Sequence, residues 1–369
     1  MKIYKCAHCG QLVYFENTHC ERCGHSFGFE KESLTLITLV PADNNTWQQY
    51  KQAGKTYRYC ANNNYGVCNW LIPTSNFDLY CPACELNQTI PDISSNQNIS
   101  YWQQIENAKH RLLYSLYRLQ LPTTSKTRDA ANGLAFNFLA NTNMQPRVLT
   151  GHDDGLITIN IEEADDVIRE QARRQMGEPY RTLLGHFRHE VGHYYWDRLV
   201  RDTNWLQPFR DLFGDDRKDY GMALQNYYVQ GASTNWQQNH ISAYASSHPW
   251  EDWAETWAHY LHMMDTLETA WSFGLDVRPL NINPSSDLAT KMDSDPYLLE
   301  NFDEIVKRWL PFTYAMNSIN RSMGHIDLYP FVTSPMVIKK LTFIHEVCRT
   351  AANGKQEGQM VLNSADNNY

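Results

Sequence analysis

Between residues 102 and 119, Ile105, Leu112, Leu116 and Leu119 recur close to one face of a 3.6-residue repeat. This spacing predicts an amphipathic helix that Pro122 brings to an end. The pattern then changes. Residues 134–139 form an apolar run of strand length, and 147–150 and 156–161 are β-rich runs separated by Gly151-His152-Asp153-Asp154-Gly155. Such turn residues predict a hairpin. Helical periodicity returns downstream, with helices expected over 163–176, 180–200, 217–229, 250–271, 298–319 and 337–350. The fifth of the whole series, over 250–271, starts clearly: Ser247 is a candidate N-cap, Pro249 stands in the first turn, and Glu251 and Asp252 lie at the positive end of the helix dipole. The polar residues 353–369 are expected to fray. A small sheet followed by many helices is an α+β arrangement.

Composition narrows the field modestly. Hydrophobic residues make up 42% of the 369, an ordinary share for a globular chain, and the 11 Trp and 22 Tyr predict a core of large rings. A net charge of -9 argues against a nucleic-acid partner or an acidic membrane surface, because phosphates are met by a surplus of Lys and Arg. The opening residues Met1 to Cys6 contain no apolar leader, and the apolar run at 34–40 is too short to span a bilayer. Nine cysteines without an export signal point to metal and free thiols, so the cytoplasm is the expected compartment.

Eight of those cysteines precede residue 85. Cys6-Ala7-His8-Cys9-Gly10 and Cys20-Glu21-Arg22-Cys23-Gly24 are two knuckles that together can surround one tetrahedral zinc ion. Gly10 and Gly24 suit the positive φ such a knuckle often requires. A second site is expected from Cys60, Cys68, Cys81 and Cys84, although the Cys60 to Cys68 gap is unusually wide. With four thiolates each, both sites are closed and structural. Cys348 sits among Phe343, Ile344 and Val347 and reads as a core residue.

The chemistry concentrates in His189-Glu190-Val191-Gly192-His193. On a helix, i and i+4 share a face, so both imidazoles can hold one ion while Glu190 reaches a water on it. Leu184, Phe187, Val191 and Tyr194 supply the apolar stripe such a helix needs. The motif alone is short and requires a third ligand. Glu251 and Glu255 are again i and i+4, on a helix whose Trp253, Trp257, Leu261 and Met264 can pack inward. Glu251 can complete a His-His-Glu set with one position open to water. Glu255 can accept the free ring N–H of a ligating histidine. Asp252 faces elsewhere and reads as a dipole partner.

These segments resemble the gluzincin-type endopeptidases related to anthrax lethal factor and the bacterial Pro-Pro endopeptidases. Nearly the whole chain is similar to the bacterial zinc-ribbon-containing zinc-binding metallopeptidases, through Tyr59-Cys60-Ala61-Asn62, Gly66-Val67-Cys68-Asn69-Trp70-Leu71, Leu149 to Gly155, His186 to Trp196 and His248 to Tyr260. The resemblance implies Glu251 as third zinc ligand and Tyr244 facing the substrate oxygen. It implies a zinc peptidase with one catalytic and two structural Zn2+ ions, Glu190 as general base and a peptide or protein substrate. By analogy with zincins, 156–161 is expected to be the edge strand that aligns the substrate. The expected organisation is a first zinc ribbon at 1–30, a second four-cysteine segment at 31–92, a mostly helical zincin-like catalytic domain with a small sheet at 93–290, a C-terminal helical part at 291–352 and a polar tail at 353–369. Two rival readings stand beside it. One is a non-catalytic module whose ribbons recognise a protein partner; the other is a nucleic-acid-associated regulator using its zinc ribbons, against which the acidic balance argues although Arg169, Arg173 and Arg174 make a local basic patch.

Overall fold

The computed structural model describes residues 1–141, 148–176, 178, 181–280 and 288–365. The chain forms two compact units, one of Met1–Tyr114 with Thr123–Leu184 and one of Ser115–Pro122 with Gly185–Tyr369.

In the first unit, β1 (Tyr4–Lys5) and β2 (Leu12–Val13) make a short antiparallel ribbon. Five antiparallel strands follow in sequential order: β3 (Ser26–Glu30), β4 (Thr35–Ala42), β5 (Thr46–Gln49), β6 (Thr56–Tyr59) and β7 (Leu71–Pro73). The early apolar run is thus the middle of β4, where Ile37 and Leu39 join Tyr57 and Leu71 in one core with Trp47 and Tyr59 packed on it. Short β runs around metal-binding cysteines give little periodicity, and the sequence reading missed this sheet.

The unit also contains β8 (Asn87–Thr89), the amphipathic α1 (Asn96–Arg118) as far as Tyr114, β9 (Ala135–Leu139), β10 (Gly151–Asp153), β11 (Leu156–Asn160) and α2 (Asp166–Met176). The expected hairpin forms, but its first strand is Gly151–Asp153, within the segment read as its turn, and Asp154 and Gly155 make the reversal with φ of 43° and 78°. Residue 147 lies outside the described residues. The sheet order is β10-β11-β9-β8. This corrects the placement of 156–161 as an edge: β11 is paired on both sides, antiparallel to β10 and parallel to β9. Over Leu156–Thr158 both sides of β11 are occupied, which leaves no open edge there for a peptide to add to.

The second unit is built around two helices, α3 (Leu183–Leu199), which enters it at Gly185, and α7 (Pro249–Phe273). Around them lie α4 (Leu206–Phe213), α5 (Tyr220–Gln230), α6 (Trp236–Asn239), α8 (Phe302–Ser322) and α9 (Pro335–Ala365). Trp253, Trp257, Leu261 and Met264 are all fully buried, as their spacing predicts. Each aliphatic side chain so buried contributes roughly 1.5–3 kcal/mol.

Two local expectations need correction, and a third needs an addition. The N-cap of α7 is His248, not Ser247, with its side chain accepting from the Trp250 N–H at 3.1 Å. Asp252 stands in the first turn of α7 as expected, and it is in addition buried and paired with Lys340 of α9 at 2.5 Å. Helix α9 continues to Ala365, through residues expected to fray.

Candidate metal centres

Each cysteine tetrad gathers as its spacing predicts, and none of the eight forms a disulfide. In the first, Cys6 and Cys23 sulfurs lie 3.6 Å apart, as do those of Cys9 and Cys20. In the second, Cys68 and Cys81 are 3.7 Å apart. A disulfide would bring sulfurs to about 2.05 Å. Four sulfurs on a tetrahedral zinc, each at about 2.3 Å, would be about 3.8 Å apart, close to the observed spacing. Gly10 and Gly24 donate back to the Cys6 and Cys20 carbonyls at φ of 76° and 75°, closing the two knuckles. The wide gap after Cys60 holds a single 3-10 turn, Ala61–Tyr65, capped by left-handed Gly66. Asn63 donates to the Cys68 carbonyl at 2.7 Å, and backbone N–H groups of Cys81 and Trp70 point at the sulfurs of Cys60 and Cys68.

The third centre lies wholly within the second unit. Helix α3 crosses α7 at Gly192, where a Cβ would fall 3.0 Å from the Ala254 Cα and 3.2 Å from the Trp257 Cβ. Trp253 Nε1 donates to the Gly192 carbonyl at 2.8 Å and fixes the crossing. Beside Gly192, at His189 about a turn before it and at His193 next to it, the two helices present their polar groups to each other. His189 Nε2 lies 3.0 Å from one Glu251 oxygen and His193 Nε2 lies 3.5 Å from the other. The ligand atoms of all three residues fall within 4.8 Å of one another.

Glu255 does not join this set. It takes the opposite nitrogen of His189, Nδ1, at 2.7 Å, and its other oxygen accepts from Ser242 Oγ at 2.6 Å. That bond commits Nδ1–H to Glu255 and leaves Nε2 to face Glu251. The Trp250 ring packs 3.9 Å from that of His193, centroid to centroid, and limits how far it can turn.

The electrostatics suit a cation. Burial disfavours charge on the Glu251 carboxyl, yet His193 and His189 outweigh it and hold its pKa well below the usual range. Burial likewise opposes an imidazolium at His189, but its hydrogen bonds to Glu251 and Glu255 raise its pKa well above normal. A carboxylate 1% exposed between two rings requires positive charge, and a divalent ion bound by two imidazole nitrogens and one carboxylate oxygen meets that need. The donor set fits zinc.

Tyr220 was absent from the sequence-based set. It stands at the first position of α5, and its hydroxyl donates to Glu251 Oε1 at 2.6 Å. Tyr244 is placed beside the centre, its ring 6.0 Å from that of His189. Burial, then the Glu251 charge, pushes both phenols well above the usual tyrosine range, so both remain proton donors. Glu190 is half-buried, and its charge acts on Tyr220. No local spacing links Tyr220 to the two motifs; Asp219 before it serves only to cap the helix it begins.

Residues 3–95 match a zinc-ribbon domain. Uncharacterized proteins of Mycobacterium tuberculosis and Mycobacterium bovis are 41% identical over 348 residues, covering 94% of this chain and 95% of theirs. No solved structure matches significantly. Residues 98–347, which span the His189, His193 and Glu251 cluster, match a family model, and the chain therefore belongs to the family described as "putative zinc-binding metallo-peptidase".

Proposed function

We propose that this chain is a zinc-dependent peptidase of the H-E-x-x-H, gluzincin-like kind, acting on a peptide or protein in the cytoplasm. The observation that supports it most is the convergence of His189, His193 and Glu251, with Glu190 beside them in the motif. A scaffold without catalysis needs the three ligands but has no use for that additional carboxylate. No helix among the described residues is long and apolar enough to cross a membrane.

His189, His193 and Glu251 would hold the zinc ion, and the two cysteine tetrads one structural ion each. When bound, the catalytic ion supplies Lewis acidity toward a carbonyl and lowers the pKa of water. Glu190 accepts a proton from the attacking water on its carboxylate and returns it to the leaving amide nitrogen. Tyr244 donates its hydroxyl proton in a hydrogen bond to the developing oxyanion. Glu255 and Ser242 keep the His189 ring in one tautomer throughout. Tyr220 holds Glu251 Oε1, so this carboxylate is oriented before any substrate arrives.

The local basic patch of the nucleic-acid reading is largely neutralised. Arg169 pairs with Asp166, while Arg173 and Arg174 both bind Glu170, at 2.7 and 2.8 Å. Paired arginines offer little to a phosphate backbone.

The test is Glu190→Gln. The variant keeps its zinc and loses at least roughly 100-fold in cleavage of a proteome-derived peptide library. Unchanged turnover would refute the assignment of the base.

A further inference from the structure

Helix α5 has 11 residues, Tyr-Gly-Met-Ala-Leu-Gln-Asn-Tyr-Tyr-Val-Gln, and none of them is buried. A helix this short is marginal without a packed face. Asp219 caps its start by accepting from the Met222 N–H at 2.8 Å, and Gly231 ends it at a φ of 76°. Capping alone defines the ends and leaves the apolar side chains uncovered. Tyr228 is 68% exposed, Met222 63% and Val229 78%.

One face of α5 leads straight to the metal centre. Tyr220, Leu224, Tyr227 and Tyr228 share that face by their spacing. Tyr220 binds Glu251, the Tyr227 ring lies 5.7 Å from that of Tyr244, and the Tyr228 ring lies 5.6 Å from that of Tyr227. Tyr228 is also close enough to act electrostatically on Tyr244. An unbroken aromatic path therefore runs from His189 through Tyr244 and Tyr227 to the exposed Tyr228.

From this continuity we infer that α5 is an apolar wall of the substrate cleft, seating a large aromatic or aliphatic side chain of the peptide next to the bond to be cut. The inference rests on the peptidase reading, which places the reacting bond at this centre. An apolar side chain laid on Leu224 and Tyr228 covers surface that the fold leaves wet, and completes the packing that α5 lacks. Specificity of this kind is worth roughly 1–3 kcal/mol for a hydrophobic contact, which is about 10–200-fold.

The test uses zinc-loaded full-length protein carrying Glu190→Gln, and short dye-labelled peptides identical except for Phe or Ser at one central position. Fluorescence anisotropy is expected to give roughly tenfold tighter binding of the Phe peptide. Adding Leu224→Ser and Tyr228→Ser is expected to bring the two affinities together, with zinc content and far-ultraviolet circular dichroism unchanged. Equal affinities before those changes, a preference that survives them, or no binding of either peptide overturns the inference. Cleavage by the unsubstituted protein separates the two readings. A Phe peptide bound but never cut sinks the peptidase assignment and leaves the apolar wall standing; peptides cut without preference do the reverse.

Discussion

Gly192 lies against Ala254 where α3 crosses α7, so close that a methyl group on Gly192 would sit 3.0 Å from the Ala254 Cα and 3.3 Å from its carbonyl oxygen. Those neighbours are backbone and cannot swing aside. The residue between Val191 and His193 is therefore glycine for packing, and that packing sets the distance between the two halves of the metal centre. Gly192→Ala is expected to force the helices apart and to destabilise the protein by about 1–3 kcal/mol. Because His193 adjoins this position, the shift should release the catalytic zinc to chelator before either cysteine-bound ion. Chelator titration with a colorimetric zinc indicator checks this; unchanged release would show that the crossing does not control the site.

Ser242 and Tyr220 each support a ligand through one hydrogen bond, the first through Glu255 to His189 and the second directly to Glu251. Removing such a bond typically costs 10–100-fold in metal affinity, so Ser242→Ala and Tyr220→Phe should each weaken catalytic zinc by about that factor. Tyr220 is 39% exposed, which makes its loss easy for the fold to tolerate. Competition against a chelator of known affinity measures the effect. Affinities equal to that of the unsubstituted protein would remove both residues from the account.

Much of this centre is readable from local spacing. His189 and His193, and Glu251 and Glu255, are helix pairs whose geometry follows from the turn of a helix. The two glutamates also take up the two positions expected of them, Glu251 facing the Nε2 atoms of both histidines and Glu255 the Nδ1 of His189. Tyr220 was not legible, because it meets Glu251 from another helix across 31 residues. The pairing of Asp252 was hidden for a similar reason: nothing near it in the chain announces Lys340, 88 residues away. The five-stranded sheet escaped because cysteine knuckles and short strands leave no run long enough to show alternation. Strand β11 was recognised as a strand, but its neighbours decide whether it is an edge, and pairing partners are not encoded locally.

His259 lies behind Glu255 on α7, beneath Tyr329, whose hydroxyl is 2.9 Å from its Nδ1, and against the Phe331 ring at 4.2 Å. Burial pushes its pKa down from 6.5 to about 4, against the pull of Glu255. The unfolded chain therefore takes up a proton at this residue before the folded one does. Its contribution is fully present above pH 6.5 and drains away between 6.5 and about 4. The loss at the acid end is on the order of 3 kcal/mol. Urea midpoints should fall less steeply between neutral and mildly acidic pH in His259→Gln than in the unsubstituted protein. Parallel pH dependence in the two would contradict this.

The most direct measurement is the zinc content of the purified protein and the order in which its ions leave. Two thiolate tetrads and one histidine–carboxylate set predict about three zinc ions per chain, one of them lost readily to chelator and the others only on thiol modification. In the His189→Ala, His193→Ala double variant, the readily lost ion should be missing and the other two retained. A protein that holds only two ions, both released when its thiols are modified, would contradict the account.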